Sequence, residues 1–348
     1  MKNVSIGIDF SKKTFDATIV HRDGDNFVER GYSRFDNDLK GFKTFEKWVK
    51  SSLKSTPEAK VKSSWIFCGE HTGTYSIGLC DYLAKKKYFV WLESALVIHR
   101  RCGIVREKND RIDSRRIAEY ALRNFSTEVK AYSLDSKDMK KLKSLYTAHD
   151  ILTKDKVSKI NQLKSGALDD CPHVRNLVEK QLKGIEQALN ETDKQIERML
   201  KESEEFKSRF AILNSFKGVG TITIAALIIK TRNFQDMTDS RELGCYIGVV
   251  PHRRQSGTSI DRPARTSRYR DRATNALITN CAMSAITHNN PIIRPYFDRL
   301  VARGVHPNKA RNNCKFKIIN ILLAMIRNGT VFNMEIHGKA EKEWQTVI

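Results

Sequence analysis

Asp110 and Asp113 lie one helical turn apart in the stretch KNDRIDSRRIAEYAL, and with Ile117, Tyr120 and Ala121 they follow the spacing i, i+3, i+7, i+10, i+11. That spacing puts all five on one face of a helix, so the face that should be buried begins with two carboxylates. Two more acids close short apolar runs: Asp9 stands next to last in VSIGIDF and Glu70 ends SSWIFCGE. Strand ends and the facing side of a packed helix can meet at one edge of a sheet. Four negative charges placed there repel each other and are costly to desolvate, unless a divalent cation binds between them. Carboxylates and water suit Mg²⁺ or Mn²⁺, and two such ions roughly 4 Å apart can hold the attacking and leaving oxygens of a phosphodiester. Each acid also has a plain structural alternative. Asp9 can cap a turn, Glu70 can be a loop acid ahead of HTGTYS, and Asp110 can be a first-turn charge favoured by the helix dipole. Asp113 fits such a role least, because it sits on the apolar stripe.

The elements that must position these acids are legible in outline. VSIGIDF alternates, with Val4, Ile6 and Ile8 on one face, and TFDATIVHR follows as a second strand before a turn at DGD. LKGFKTFEKWVKSSL has helical spacing through Leu39, Phe42, Phe45, Trp48 and Val49. SSWIFCGE reads as a buried strand, YSIGLCDYLAKKK as a helix and YFVWLES as another strand. The order β-β-α-β-α-β, followed by the aspartate helix, predicts an α/β domain over residues 1–130. Residues 131–206 are rich in lysine, with apolar residues at 3–4 spacing through Val178, Leu182, Ile185, Leu189, Ile196 and Leu200. SGALDDCPH interrupts that pattern, so two long helices are expected, either antiparallel or as arms of a dimer.

Residues 207–335 form a third, mainly helical region. Lys217, Gly218, Val219 and Gly220 lie between two helix-like segments and are similar to a helix-hairpin-helix turn, whose exposed amides can hold a phosphate; a simple helix junction is the alternative. HRRQSGTSIDRPARTSRYRDR is rich in Arg, Ser and Gly and poor in large apolar residues, and it reads as a loop. Arg268 and Arg270 within it are candidate phosphate contacts.

Composition narrows the partners. With 348 residues, 40% of them apolar, the chain can build two or three domains. A formal net charge of +22 favours polyanions, a nucleic acid first and an anionic membrane surface second. No run of 18 apolar residues predicts a transmembrane helix, and MKNVSIGIDF lacks signal-peptide anatomy. The seven cysteines form no CxxC pair, which argues against a zinc site and for reduced thiols in a cytosol.

Taken together and in order, IGIDFSKKTFDA, CGEHTGTYS, REKNDRIDSRRIAEYA, LNSFKGVGTITIAAL and YIGVVPHRRQSGTSI…RDRATNALI resemble the DEDD transposases and recombinases of bacterial insertion sequences. The pilin-gene invertases belong to that group. The resemblance implies an RNase H-like (RuvC-like) catalytic domain, a helical hairpin and a C-terminal transposase domain. It implies Asp9, Glu70, Asp110 and Asp113 as metal ligands for Mg²⁺ or Mn²⁺. It further implies a nucleophilic serine, best matched by Ser256 in QSG, with Ser259 as the alternative three residues on. Arg253 and Arg254 would flank the scissile phosphate, where bidentate guanidinium contacts suit the task. Implied partners are donor and target double-stranded DNA, a structured noncoding guide RNA that pairs with both, and further copies of the chain in dimers and tetramers. A bacterial cytoplasmic, nucleoid-associated location follows from the same resemblance.

Three rivals compete. A Holliday-junction resolvase or related nuclease needs the acids but not Ser256. An actin-like sugar kinase is echoed by GIDFSKKT, but no second phosphate loop follows. A binding protein that has lost its chemistry has no reason to keep all four acids and the serine.

Overall fold

The structure is a computed structural model that describes residues 3–54, 62–71, 73–101, 109–256 and 260–333, with only the backbone described at 62, 254–256 and 260–263. The chain divides into two compact units, Met1–Leu134 and Asp135–Ile348.

The first unit is built on β1 (Val4–Phe10), β2 (Thr14–Asp23) and β3 (Asn26–Asp36), an antiparallel meander. Helix α1 (Leu39–Ser52) leads to β4 (Trp65–Glu70), and α2 (Thr74–Lys85) leads to β5 (Val90–Glu93). Helices α3 (Ala95–Arg101) and α4 (Asp110–Asn124) follow. The sheet order is β3-β2-β1-β4-β5, with β4 parallel to both β1 and β5. The expected α/β domain is present, with one strand more than the sequence pattern predicts. β3 escapes that pattern because it is an edge strand whose burial does not alternate; most of its residues are half-exposed.

Period-two alternation sends the side chains of β1 to two different cores. Val4, Ile6, Ile8 and Phe10 join Phe15, Phe42, Phe45 and Phe67 on one face, beneath α1 and α2. The Phe15 and Phe45 rings meet edge to face at 5.2 Å. The opposite face belongs to α4, whose Ile117, Tyr120 and Ala121 pack on Ile66, Cys68 and Trp91. Gly7 sets how closely α4 approaches: a Cβ there would lie 2.0 Å from the Ser114 carbonyl oxygen and 2.4 Å from the Ala118 nitrogen. No side chain fits in that gap, so the helix rests its backbone directly on β1. The Thr18 and Ser114 hydroxyls, 2.7 Å apart, hydrogen-bond and pin α4 to β2 as well.

Glu46 ties α1 to α2. It accepts hydrogen bonds from Lys50 (2.6 Å), Tyr82 (2.5 Å) and Tyr88 (3.1 Å), and Lys86 lies at 2.8 Å. Burial pulls its carboxyl pKa up, but these partners outweigh burial and hold it at about 2. A depressed acid contributes stability that is present above its unfolded value of 4.5 and is lost as pH falls toward 2. Glu46→Gln is therefore expected to lose about 1–3 kcal/mol at pH 7 and much less at pH 3, read by urea unfolding at the two pH values. An equal loss at both would mean that the carboxylate charge plays no part.

In the second unit, α5 (Lys137–Lys164) and α6 (Pro172–Glu202) form an antiparallel hairpin, with pairs Lys156–Glu186 at 3.0 Å and His149–Asp193 at 3.5 Å across it. Only its base is buried: Met139, Leu142, Ile196, Met199 and Leu200 enter a large core with Phe206, Phe216, Ile228, Ile278 and Leu322. Toward its tip, Ile151, Val157, Val174 and Leu177 are exposed. The remaining elements are α7 (Lys207–Asn214), α8 (Thr221–Lys230), α9 (Ser240–Ile247), β6 (Pro251–Ser256), β7 (Ile260–Thr266), α10 (Arg272–Thr287), α11 (Ile293–Ala302) and α12 (Pro307–Asn328). The arginine-rich stretch expected as a loop is the two-stranded ribbon β6–β7. Among the described residues, no helix is long and apolar enough to cross a membrane.

Candidate active site

Strand register assembles the acids. β4 pairs with β5 so that Glu70 faces Glu93, and the β1–β4 ladder, running to Ile8–Gly69, sets Asp9 beside Glu70 at its next step. Asp9 faces Asp16 on β2, and Asp16 faces Arg34 on β3. Residues opposite one another in a ladder point to the same face. A row therefore crosses the sheet in the order Glu93, Glu70, Asp9, Asp16, Arg34. It lies on the α4 side at the carboxyl ends of the parallel strands, where open α/β sheets bind ligands. Asn109 caps α4 by accepting a 2.8 Å bond from the Ile112 amide, and so starts the helix where Asp110 and Asp113 occupy its first turn.

The members of the row are not equivalent. Glu93 accepts from the Ser94 amide at 2.8 Å and from Tyr120 at 3.1 Å, and so anchors β5 to α4. Asp16, buried, accepts from Tyr32 at 2.5 Å and from Arg34 Nε at 3.1 Å on each oxygen. Glu70 is mostly buried and lies 3.8 Å from His99. Asp113 is likewise mostly buried, with Arg116 at 3.8 Å, whereas Asp110 is 58% exposed and is held by Arg34 Nη2 at 2.5 Å. The stripe expected on α4 is thus buried from Asp113 inward, and Asp110 stands at its open end.

Asp9 is central. Burial and the charges of Glu70, Asp113, Asp110 and Asp16 together push its pKa up to about 6. The other three acids expected from the sequence thus all act on Asp9, and so does Asp16. Among the described residues, no three acidic, histidine or cysteine side chains stand close enough to hold an ion as placed. The donor chemistry nonetheless fits a hard divalent cation. Every donor is a carboxylate oxygen, and the repulsion stored at Asp9 is what a positive ion would relieve.

Sequence reasoning missed Asp16, Arg34 and Glu93. The signal for Asp16 was available: a short turn after Phe10 pairs Phe10 with Phe15 and Asp9 with Asp16. Arg34 and Glu93 depend on the register of β3 and β5, which no local pattern reports.

Ser256 is the last residue of β6, opposite Ile260 at the end of the ladder where the chain passes from β6 to β7; its side chain, like that of Arg254, lies outside the described residues, as does all of Ser259. Arg254 pairs with Arg262 directly across the ladder, and the ladder shifts register between His252 and Arg254, around Arg253. Like charges at facing positions do not stabilise a two-stranded ribbon. Arg270 lies against Gly248 (φ +80°) and donates to Thr266 at 3.0 Å; Arg268 is exposed. Lys217 is exposed, Gly218 adopts φ +112°, and Gly220 opens α8 without a side-chain cap. Gly220, having no side chain, supplies no acceptor of its own to the first amides of α8.

Comparison with known proteins agrees in both units. A family model described as a transposase matches residues 6–171, and one described as a transposase of the IS116/IS110/IS902 family matches residues 210–298. The chain is 22% identical to the pilin gene-inverting protein of Moraxella bovis over 341 residues, 97% of the chain and 100% of that relative. Identity to the pilin gene-inverting protein of Moraxella lacunata is 21% over the same extent. An uncharacterized 43.6 kDa protein of insertion element IS110 from Streptomyces coelicolor is 31% identical over 133 residues, 37% of the chain and 32% of that relative.

Proposed function

This chain belongs to the IS110 family of transposases, whose two domains it carries, and from that premise we propose that it cuts and rejoins DNA through Ser256 at a carboxylate-held metal site. The observation that carries the proposal is the crowding of Asp9 by Glu70, Asp110 and Asp113 at the carboxyl ends of β1 and β4. The mixed five-stranded sheet with an antiparallel β1–β2–β3 meander is the arrangement expected of an RNase H-like, RuvC-type domain. Bound among the four acids, Mg²⁺ or Mn²⁺ supplies positive charge against the charge that builds on the phosphate oxygens. Asp113 and Glu70, mostly buried, are the fixed members; Asp110, exposed, is the adjustable one.

Ser256 supplies the nucleophile. Its oxygen forms a bond to phosphorus as the bond from phosphorus to the sugar oxygen breaks, and its proton passes to the departing hydroxyl. DNA is then joined to protein through phosphoserine, and attack by another sugar hydroxyl reverses the step with the strands exchanged. Arg253 and Arg254 flank the serine and hold the phosphate. Lys217, Gly218 and Gly220 at the start of α8 grip backbone phosphates, as do Arg268 and Arg270. A noncoding guide RNA pairs with donor and target, leaving the protein to read backbone and shape, as its charge of +22 suits. The exposed apolar tip of the α5–α6 hairpin supports assembly into dimers and tetramers, which bring the serine of one copy to the acids of another. The working location is the bacterial cytoplasm, at the nucleoid.

A second reading is favoured by the full-length match to pilin gene-inverting proteins: inversion of a DNA segment between two sites, without a guide RNA. Purified protein, Mg²⁺ and a plasmid bearing both element ends separate the two. Strand exchange only after adding RNA transcribed from beside the gene supports guidance, and exchange without it supports inversion.

Phosphate contacts have a signature of their own. Arg268→Ala is expected to weaken DNA binding at every sequence and to lower the slope of log K against log salt by about 1, measured by fluorescence anisotropy over a salt series. Loss confined to one sequence would assign Arg268 to base readout.

A further inference from the structure

Arg34 is anchored at one end and exchangeable at the other. Its Nε sits 3.1 Å from both oxygens of buried Asp16, which Tyr32 also holds at 2.5 Å. Its Nη2 reaches Asp110 at 2.5 Å, in a pair whose side chains are 52% and 58% exposed. In the first contact one N–H is shared between both oxygens of an acid that is itself buried and held by Tyr32, so this end of the guanidinium is the more firmly placed. The second is solvent-screened, and pairs of that kind exchange at little cost.

A guanidinium does not lose its proton at any working pH, so its positive charge stays beside the carboxylates. While Nη2 holds Asp110, that carboxylate is engaged and turned toward β3. The geometry points to Arg34 as a positioning residue that withholds Asp110 from the metal site until a nucleic-acid phosphate takes its place. This rests on the carboxylate site proposed above. The end of Arg34 released from Asp110 presents its N–H groups on the face where a scissile strand would lie, and a phosphate oxygen is the acceptor a guanidinium fork fits best. Asp110 then turns to the ion. Metal binding and DNA binding thereby strengthen each other, and thermodynamic linkage makes that coupling reciprocal.

The test is Mn²⁺ binding by the full chain, followed by the paramagnetic resonance signal of free Mn²⁺, with and without a DNA duplex. Arg34→Gln is expected to bind Mn²⁺ about 5-fold or more tightly than wild type when no DNA is present. Adding duplex is expected to tighten wild type by a similar factor and the variant hardly at all. Arg34→Lys keeps a cation for Asp16 but loses the fork that spans to Asp110, so it should behave as Arg34→Gln does, even if the glutamine variant folds poorly. Equal or weaker Mn²⁺ binding by both variants, or the same tightening by DNA in all three proteins, overturns the role of Arg34. Asp9→Asn and Asp113→Asn separate this from failure of the site itself. If neither weakens Mn²⁺ binding, the carboxylate site is wrong; if both do while the Arg34 variants match wild type, only the withholding of Asp110 is wrong.

Discussion

Asp9→Asn is expected to abolish strand exchange, by about 10³-fold or more, while making the metal-free protein more stable at neutral pH. The first effect follows from removing a central ligand, since metal-assisted charge stabilisation is worth several kcal/mol and each factor of ten is about 1.4 kcal/mol. The second follows from the pKa of Asp9. Burial and the surrounding acids raise it from 3.8 to about 6 in the folded protein. A raised acid costs stability above its folded value, and the cost fades as pH falls from about 6 to 3.8. With EDTA present, the variant should therefore melt about 2–4 °C above wild type at pH 7.5, and the two should converge near pH 4. Calorimetry at the two pH values checks this. A variant less stable than wild type at pH 7.5 would mean that Asp9 is a structural acid with partners of its own. Active sites often hold such locally unfavourable arrangements, and activity and stability then move in opposite directions.

Ser256→Ala should remove the covalent protein–DNA adduct and lower strand exchange by about 10⁴–10⁶-fold, the scale of losing a nucleophile. DNA binding and Mn²⁺ binding should be unchanged, because a single hydroxyl on the ribbon contributes to neither. The adduct can be trapped on labelled DNA, digested with protease and read by mass spectrometry. If the adduct persists in Ser256→Ala and disappears in Ser259→Ala, the nucleophile is Ser259. If metal-dependent cutting continues at the wild-type rate with no adduct in either variant, the chain is a nuclease that uses water.

The two units differ in how far local pattern reached. Val4, Ile6 and Ile8 alternate, and Ile117, Tyr120 and Ala121 repeat at helical spacing; both patterns were legible because burial imposes a period on a strand or a helix. The ribbon β6–β7 was not legible. Its strands carry Arg254 and Arg262 at paired positions where apolar residues would mark a sheet. The α5–α6 hairpin was legible as two helices, but its periodicity does not say that only Met139, Leu142, Ile196, Met199 and Leu200 would be buried.

The sequence by itself determined which acids end strands, which turn of α4 carries Asp110 and Asp113, and that a strongly basic chain pairs with a polyanion. Those are matters of residue type and local period. Only the tertiary structure decided that Glu93 stands beside Glu70 and that Arg34 reaches from Asp16 to Asp110. Register between strands is set by turn length and by which face each strand buries, and the bare backbone of Gly7 fixes where α4 sits on that sheet. A shift of one residue would turn every side chain of a strand to the opposite face.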